Sequence, residues 1–390
     1  MDAVGIVFWG CLGLTAYTYA GYPLLLAAWS RMRGAPGGDS GEVEKEGDDL
    51  PKVSLIIPAY NEEQVIARKI LNSIDLDYPA HLLEIVVVSD GSSDSTEALA
   101  RQAAGERVRL VFLEDRQGKT ACINAVLPGL LGEIVVFTDA NAFFLPDALR
   151  ELVRPFRVPG IGCVMGELRY AQEGSLNSSL GEGLYWRYEN FIKERESRLG
   201  STIVGNGAIY AMRRALCRVL PREVEADVAN PLLALSAGSR VIFLRSARCR
   251  ERPAATVREE FRRKTRIITN QITSYLYGWR DFAPLPAGAI FQIVSHKVLR
   301  WLVPFFLAGL LAASAARRGP LLLDGMLALQ VLFYLAALAG WGLESGKRPV
   351  PRLLFLPYYF CAVNVASIKG MADFALGRHH AVWEKAASTR

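Results

Sequence analysis

Short polar strings in this chain carry residues that could do chemistry. Tyr60-Asn61-Glu62 ends one apolar run, Asp90-Gly91-Ser92-Ser93-Asp94 follows a second, and Asp139-Ala140-Asn141 follows a later one. Gly118-Lys119 opens a helical stretch, and Asp227 sits in the string Glu225-Ala226-Asp227. Each string also has a bland reading. DGSSDS suits a turn with a helix cap, Asp139-Ala140-Asn141 a strand end with a capping Asn, Lys119 a solvated helix face, and Asp227 an N-cap. Order and spacing argue for more. An acid after the second strand, a Gly-Lys entering a helix and an acid after the fourth strand would converge on one crevice. A nucleotide diphosphate needs that set: an acceptor for base or ribose, a cation for phosphate, and carboxylate oxygens for a hard divalent metal.

The elements that must position these groups alternate. Residues 52–60, 83–89, 108–113 and 133–138 read as strands, with helical spacing over 62–76, 95–104 and 119–131. Near-continuous apolar strands between helices predict an open parallel α/β sheet covered on both faces. The polar strings fall at the carboxyl ends of its strands, where such sheets bind ligands.

The two ends of the chain have a different character. Hydrophobic residues make up 51% of the 390 residues, and mean hydropathy is +0.18. At 22%, charged residues are too few for a long disordered region. The stretch Ala3 to Trp29 is 27 residues without a charge, longer than the roughly 20 that span a bilayer as a helix. Asp2 precedes it and Arg31 and Arg33 follow, which argues against a cleaved signal peptide and places the N-terminus outside. Residues 31–51, rich in Gly and acids, read as a flexible tether.

After the soluble middle, His296, Lys297 and Arg300 interrupt the apolar pattern. Charges in mid-membrane are costly, so 283–297 is expected to lie in the interface and 299–316 to cross. Gly325–Leu343 reads as another crossing. The segment 353–376 is short and holds Pro357 and Lys369, so a re-entrant or interfacial path and a cytoplasmic C-terminus are expected. Net charge is +6, and the block Arg245–Arg266, with nine basic residues against three acids, equals that whole excess. It precedes the second apolar region, where cations meet anionic head groups. A nucleic-acid binder would not need membrane segments, and no aromatic-basic surface motif is evident. The six cysteines are scattered without a CxxC pair, which argues against a zinc site and fits a reducing compartment.

The strings PAYNEE (58–63), VVVSDGSSDST (86–96), RQGKTACINA (116–125), FTDAN (137–141) and GNGAIYAMRR (205–214) together resemble family 2 glycosyltransferases of the GT-A fold. YWRYENFIKERES (185–197), SHKVLRW (295–301) and WEKAASTR (383–390) resemble its membrane-embedded bacterial branch, which includes cellulose-, poly-N-acetylglucosamine- and hyaluronan-synthase-like enzymes. The resemblance implies an α/β GT-A domain over 52–250 and a transmembrane helix over 1–30. It implies interfacial helices over 251–298, a transmembrane region over 299–376 and a basic tail over 377–390.

It also implies roles. Asp90 would recognise the nucleoside base, in a pocket with Pro58, Tyr60 and Glu62, and Lys119 would sit near the donor. Asp139 and Asn141 occupy the DxD position, which holds Mg2+ or Mn2+ and the sugar diphosphate; Asn141 departs from the usual second Asp. Asp227 would be the catalytic base, with Ala226 in place of the usual preceding acid. Gly205, Asn206 and Gly207 would form the acceptor segment. Arg266 matches the Arg of a QxxRW motif whose Gln and Trp are missing here, which puts long-chain processivity in doubt.

The implied reaction is inverting transfer from a nucleotide-diphosphate sugar, with a UDP-sugar as the expected donor. The acceptor would be a lipid-linked sugar or glycan at the cytoplasmic face of a bacterial inner membrane, in contact with membrane lipids and without nucleic acid. The alternatives are a processive β-glycan synthase that also secretes its polymer, and a carrier or channel that only binds nucleotide sugar.

Overall fold

A computed structural model describes residues 2–33, 50–170, 176–254, 256–316, 319 and 321–378. The expected acidic tether lies outside these residues except at its two ends, as does the basic tail beyond Arg378.

The soluble middle is built on an eight-stranded sheet of order β3-β2-β1-β4-β7-β6-β8-β5. The strands are β1 Val53–Ala59, β2 Leu83–Asp90, β3 Val108–Leu113, β4 Ile134–Thr138, β5 Phe143–Phe144, β6 Ile161–Tyr170, β7 Ile209–Arg213 and β8 Arg240–Glu251. β1 to β4 are mutually parallel, as their apolar runs predict. The second half is mixed. β7 runs antiparallel to β4 and β6, while β6 and β8 are parallel. Side chains alternate between faces: Leu55 and Ile57 join one core cluster, and Ile56 joins the other. The sheet is therefore buried on both sides, each large aliphatic contributing roughly 1.5–3 kcal/mol.

The antiparallel pairing of β4 and β7 matters most for the site. Thr138 pairs with Ile209, so the residues after β4 lie beside those before β7. Likewise Phe143 pairs with Arg250 in β8, which brings Glu251 against the Asp139-Ala140-Asn141 turn. Lys69, fully buried, fixes that turn from below by donating to Thr138 Oγ1 at 3.0 Å and to the Ala142 carbonyl.

The longer helical segments frame the sheet and the apolar ends of the chain. They are α1 Ala3–Arg33, α2 Ile66–Ile74, α3 Thr96–Ala104, α4 Lys119–Val126, α5 Ala148–Val153, α6 Leu176–Arg198, α7 Ala226–Ser236, α8 Val257–Tyr277, α9 Ala287–Ala316, α10 Leu321–Ser345 and α11 Arg352–Ala375. Four of them, α1, α9, α10 and α11, are long and apolar enough to cross a membrane.

One expectation is corrected here. Residues 283–297 do not form a separate interfacial helix. From Ala287 they join the expected crossing as one 30-residue helix, with a π-turn at Ile293–Val298. The charges that argued for a break find partners on α6. His296 Nδ1 lies 2.8 Å from Glu196 and its Nε2 3.3 Å from Glu189, while Arg300 pairs with Glu189. Tyr22 of α1 and Thr202 each donate to Glu196 at 2.7 Å. Although burial alone would raise Glu196, His296, Tyr22 and Thr202 hold its carboxyl below the ordinary value.

α11 is unbroken, so no re-entrant turn forms. Its start is tied to the start of α8 through Glu344 at the end of α10. That carboxylate accepts the Val257 N–H at 3.1 Å and the Tyr358 hydroxyl at 2.5 Å. Near its end, the Gly370 carbonyl accepts from Thr269 of α8 at 3.0 Å. The opposite end of the helical part is marked by Phe8, Leu310, Ala313 and Leu323, packed together.

Glu196 therefore ties α6 to both α1 and α9. Glu196→Ala should destabilise the purified protein by about 3 kcal/mol or more, because it strands a buried imidazole and two hydroxyls. Tyr22→Phe should cost only about 1 kcal/mol. Unfolding midpoints in neutral detergent check this, and equal small effects would contradict it.

Candidate active site

The site grows from the strand ends. Asp90 closes β2 and is 2% exposed. Its two oxygens accept the N–H groups of Gln117 and Gly118, at 2.7 and 2.8 Å. That carboxylate fixes the entry to α4 and so aims Lys119, its first residue. Lys119 Nζ donates to Asp139 Oδ1 at 2.6 Å and to the Gly207 carbonyl at 3.4 Å. Burial alone would depress the Lys119 ammonium, but Asp139, Asp227 and Glu225 together hold it above its ordinary value.

Asp227 lies in the first turn of α7, one residue beyond its start, and is not the N-cap; Glu225 is. A carboxylate there is favoured by the helix dipole. The segment Gly205-Asn206-Gly207 crosses in front of it. A Cβ on Gly207 would sit 2.7 Å from Lys119 Nζ, 3.2 Å from Asp227 Oδ2 and 3.7 Å from Asp139 Oδ2. A Cβ on Gly205 would meet the Asp227 carbonyl oxygen at 1.6 Å. Gly205 must be glycine because the Asp227 backbone passes where a side chain would stand, while a side chain at Gly207 would displace the ends of Lys119 and Asp227. Asn206 is buried and turns its amide oxygen to the Ala208 N–H.

These groups floor a cavity of about 960 Å³. Lys119, Asp139, Gly205, Asn206, Gly207, Asp227 and Arg266 all line it, so the structure brings those expected residues together. The rest lie beside it. Pro58 is buried within β1, paired with Val88. Tyr60 carries the Arg116 guanidinium over its ring at 3.8 Å. Glu62 is fully buried, its N–H bonded to Thr96 Oγ1 at 2.7 Å. Asn141, 1% exposed, donates from its amide to Glu251 Oε1 at 2.8 Å.

Several residues of the site were given no role from the sequence. Glu251 lines the cavity beside Asp139, held there by a strand pairing that no local pattern signals. Glu225 also lines it and accepts from Asn270 Nδ2 at 2.8 Å. Burial and the neighbouring Asp227 push its carboxyl up to about 7, against the pull of Arg266. The string Glu225-Ala226-Asp227 held the signal: the first acid stands two residues from Asp227 instead of one. Trp186 and Lys193 reach the cavity from α6.

Asp139 and Glu251, with the Asn141 amide oxygen nearby, form the donor set available to a divalent cation. Among the described residues no three His, Cys, Asp or Glu side chains cluster as a metal cage. Two carboxylates suit Mg2+ or Mn2+ when phosphate oxygens complete the shell, so the residues fit a metal that arrives with a phosphorylated ligand.

An α/β domain with its polar groups at the strand ends, joined to helices long and apolar enough to cross a membrane, is an architecture of the GT-A type. The model of the family described as Glycosyl transferase family 2 matches residues 54–220, which hold the first four strands, Asp90, Lys119, Asp139 and the glycine segment. An N-acetylglucosaminyltransferase of Rhizobium leguminosarum bv. viciae is 28% identical over 219 residues, 52% of this chain and 51% of that one. A beta-monoglucosyldiacylglycerol synthase of Trichormus variabilis is 30% identical over 223 residues, 55% of this chain and 46% of that one. The chain thus spans about half the length of these curated relatives. Among solved structures, a mannosyltransferase of Pyrobaculum calidifontis, in complex with GDP-Man and Mn2+, matches with a TM-score of 0.70 at 24% identity. That match covers 95% of this chain and 99% of the other, and it establishes the fold.

The raised Glu225 carboxyl has a measurable consequence. A folded-state value of about 7, above the ordinary 4.5, means the stability it contributes is complete below the ordinary value and is lost as pH rises through about 7. Melting temperature should fall from about pH 5 to about pH 8, and Glu225→Gln should flatten that fall. An unchanged slope in the variant would contradict the assignment.

Proposed function

We propose that the protein is an inverting glycosyltransferase that moves one sugar from a nucleotide diphosphate to a lipid-linked acceptor at the cytoplasmic membrane face. The observation that carries this is the convergence of Lys119, Asp139 and Asp227 on Gly207, at the floor of a cavity that extends to the membrane helices. The donor diphosphate lies against Lys119 and Asp139, with Tyr60 and Asp90 on its nucleoside side. Arg266, which lines the same cavity, adds a second cation. Asp227 accepts the proton of an acceptor hydroxyl. The freed oxygen forms a bond to the anomeric carbon as the bond from that carbon to the diphosphate breaks, inverting the centre. Lys119 and Arg266 stabilise charge on the departing phosphate. Mg2+ or Mn2+, held by Asp139 with Glu251 and the Asn141 amide, would neutralise the same leaving group.

The geometry also supports the topology. Lys369, Asp373 and Arg378 line the cavity that holds Asp227, while the start of α11 is tied to α8. We therefore place α11 along the cytoplasmic interface and take α1, α9 and α10 as crossings of a bacterial inner membrane, with residue 378 on the catalytic side. A secreting synthase would need an acceptor-stacking Trp on α8, and that helix has none; single addition is favoured.

Two substitutions separate donor from acceptor chemistry. Asp227→Asn should abolish transfer, by about 10^3-fold or more, and leave nucleoside diphosphate affinity within a factor of about two. Asp139→Ala should weaken metal-dependent nucleotide binding itself. Screening nucleotide sugars for metal-dependent nucleoside diphosphate release, then titrating the nucleotide on each variant, decides it. Equal loss of binding and rate in Asp227→Asn would sink the base assignment.

A further inference from the structure

The membrane end of the cavity holds two buried ammonium groups that the donor chemistry above does not use. Lys193 on α6 is 1% exposed, and Lys297 on α9 is 8% exposed. Both line the cavity. Neither makes a hydrogen bond or ion pair with any described residue. Aromatic rings lie beside Lys193, while Glu189, Glu196 and Asp227 act on it only through their fields. Lys193 Nζ lies 5.1 Å from the Trp186 ring centroid and 5.8 Å from that of Phe243. The acids on the same helix are engaged elsewhere: Glu189 by Arg300 and His296, Glu196 by His296, Tyr22 and Thr202.

A buried ammonium without a hydrogen-bonded partner costs several kcal/mol, and two near each other cost more. Burial depresses Lys193 to about 8, and Lys297 adds to that against the pull of Glu189. Glu189, Glu196 and Asp227 offset part of that cost through their fields without a hydrogen bond to Lys193, and an anion between the two ammoniums would complete the pair. Its position identifies the anion. Lys297 sits in the π-turn of a helix that continues into the apolar span, the depth at which lysines meet lipid phosphate. Asp227 also acts on Lys193 through the field of its carboxylate, so a group held here lies next to the proposed base.

We propose that Lys193 and Lys297 form a phosphate site for the acceptor, gripping the phosphate that joins a lipid chain to the sugar whose hydroxyl meets Asp227. This deepens the transferase reading and rests on it for the role of Asp227, but the site itself is testable without transfer. The same chemistry could serve free phosphate or the donor diphosphate, and the experiment separates these sources.

Geranyl phosphate, geraniol and inorganic phosphate are titrated by calorimetry against the full chain in neutral detergent, with no nucleotide present. Geranyl phosphate should bind at least about 10-fold more tightly than either control, since it alone joins the charge to the chain. Lys193→Gln and Lys297→Gln should each weaken it by about 10-fold or more, as expected for a charged hydrogen bond. Lys193→Arg should retain most of the affinity, which guards against a folding defect in the Gln variant. Nucleoside diphosphate affinity should stay within about twofold in every variant. Geraniol binding as tightly, or inorganic phosphate binding as tightly, would overturn the proposal. So would undiminished geranyl phosphate binding in both Gln variants, or a matching loss of nucleoside diphosphate affinity, which would assign the lysines to the donor. Loss of transfer in Asp227→Asn tests the underlying reading separately.

Discussion

One ammonium between carboxylates organises the cavity at the strand ends of this molecule. Burial alone would depress the Lys119 ammonium, and Asp139, Asp227 and Glu225 around it hold it above its ordinary value. Those acids come from β4 and α7, far apart in the chain, and each would be costly to bury alone. The pairing of Thr138 with Ile209 is what lets them meet, because it draws the glycine segment 205–207 across the end of β4. Asp90 contributes at one remove by pinning the Gln117 and Gly118 amides so that α4 starts in register. On the function proposed above, the arrangement would hold a cation ready for phosphate and a carboxylate ready for a proton, with little reorganisation when substrate arrives.

The second organising feature is the junction with the membrane helices. α6 presents Glu189 and Glu196 to His296 and Arg300 on α9, and α1 adds Tyr22. Buried ion pairs of this kind contribute little net stability over apolar packing, but mispairing them is expensive. They therefore fix the register of α9 against the soluble domain. That register places Lys297 at the cavity and, with α8 and α11, closes its membrane side.

What the sequence made legible follows from range. β1 to β4 and their helices are local patterns, and they formed where the apolar runs and polar strand ends indicated. Lys119 and Asp139 could be expected together because motif order on a parallel sheet fixes where strand ends meet; Asp227 and Gly205–Gly207 were named only through the family resemblance, and the structure lines one cavity with all of them. Glu251 was not legible, because its contact with Asn141 depends on a two-residue strand pairing with residues more than a hundred positions away. The break expected at His296–Arg300 failed for a similar reason. Single-segment hydropathy counts the cost of a charge, and the acids that offset it sit on α6. Asp90 stands at its expected strand end, yet both oxygens are committed to backbone amides, a use no motif announces.

The central claim is that Lys119, Asp139 and Asp227 define a single reaction centre with the donor on one side and the acceptor on the other. A structure of the full chain with Mn2+ and a nucleoside diphosphate tests it most directly. The account predicts the diphosphate between Lys119 and Asp139, the Lys119 ammonium bonded to a phosphate oxygen, and Asp227 clear of the nucleotide and facing the cavity toward Lys193. A nucleotide bound elsewhere with the Lys119–Asp139 contact unchanged, or a diphosphate seated on Asp227, would contradict it.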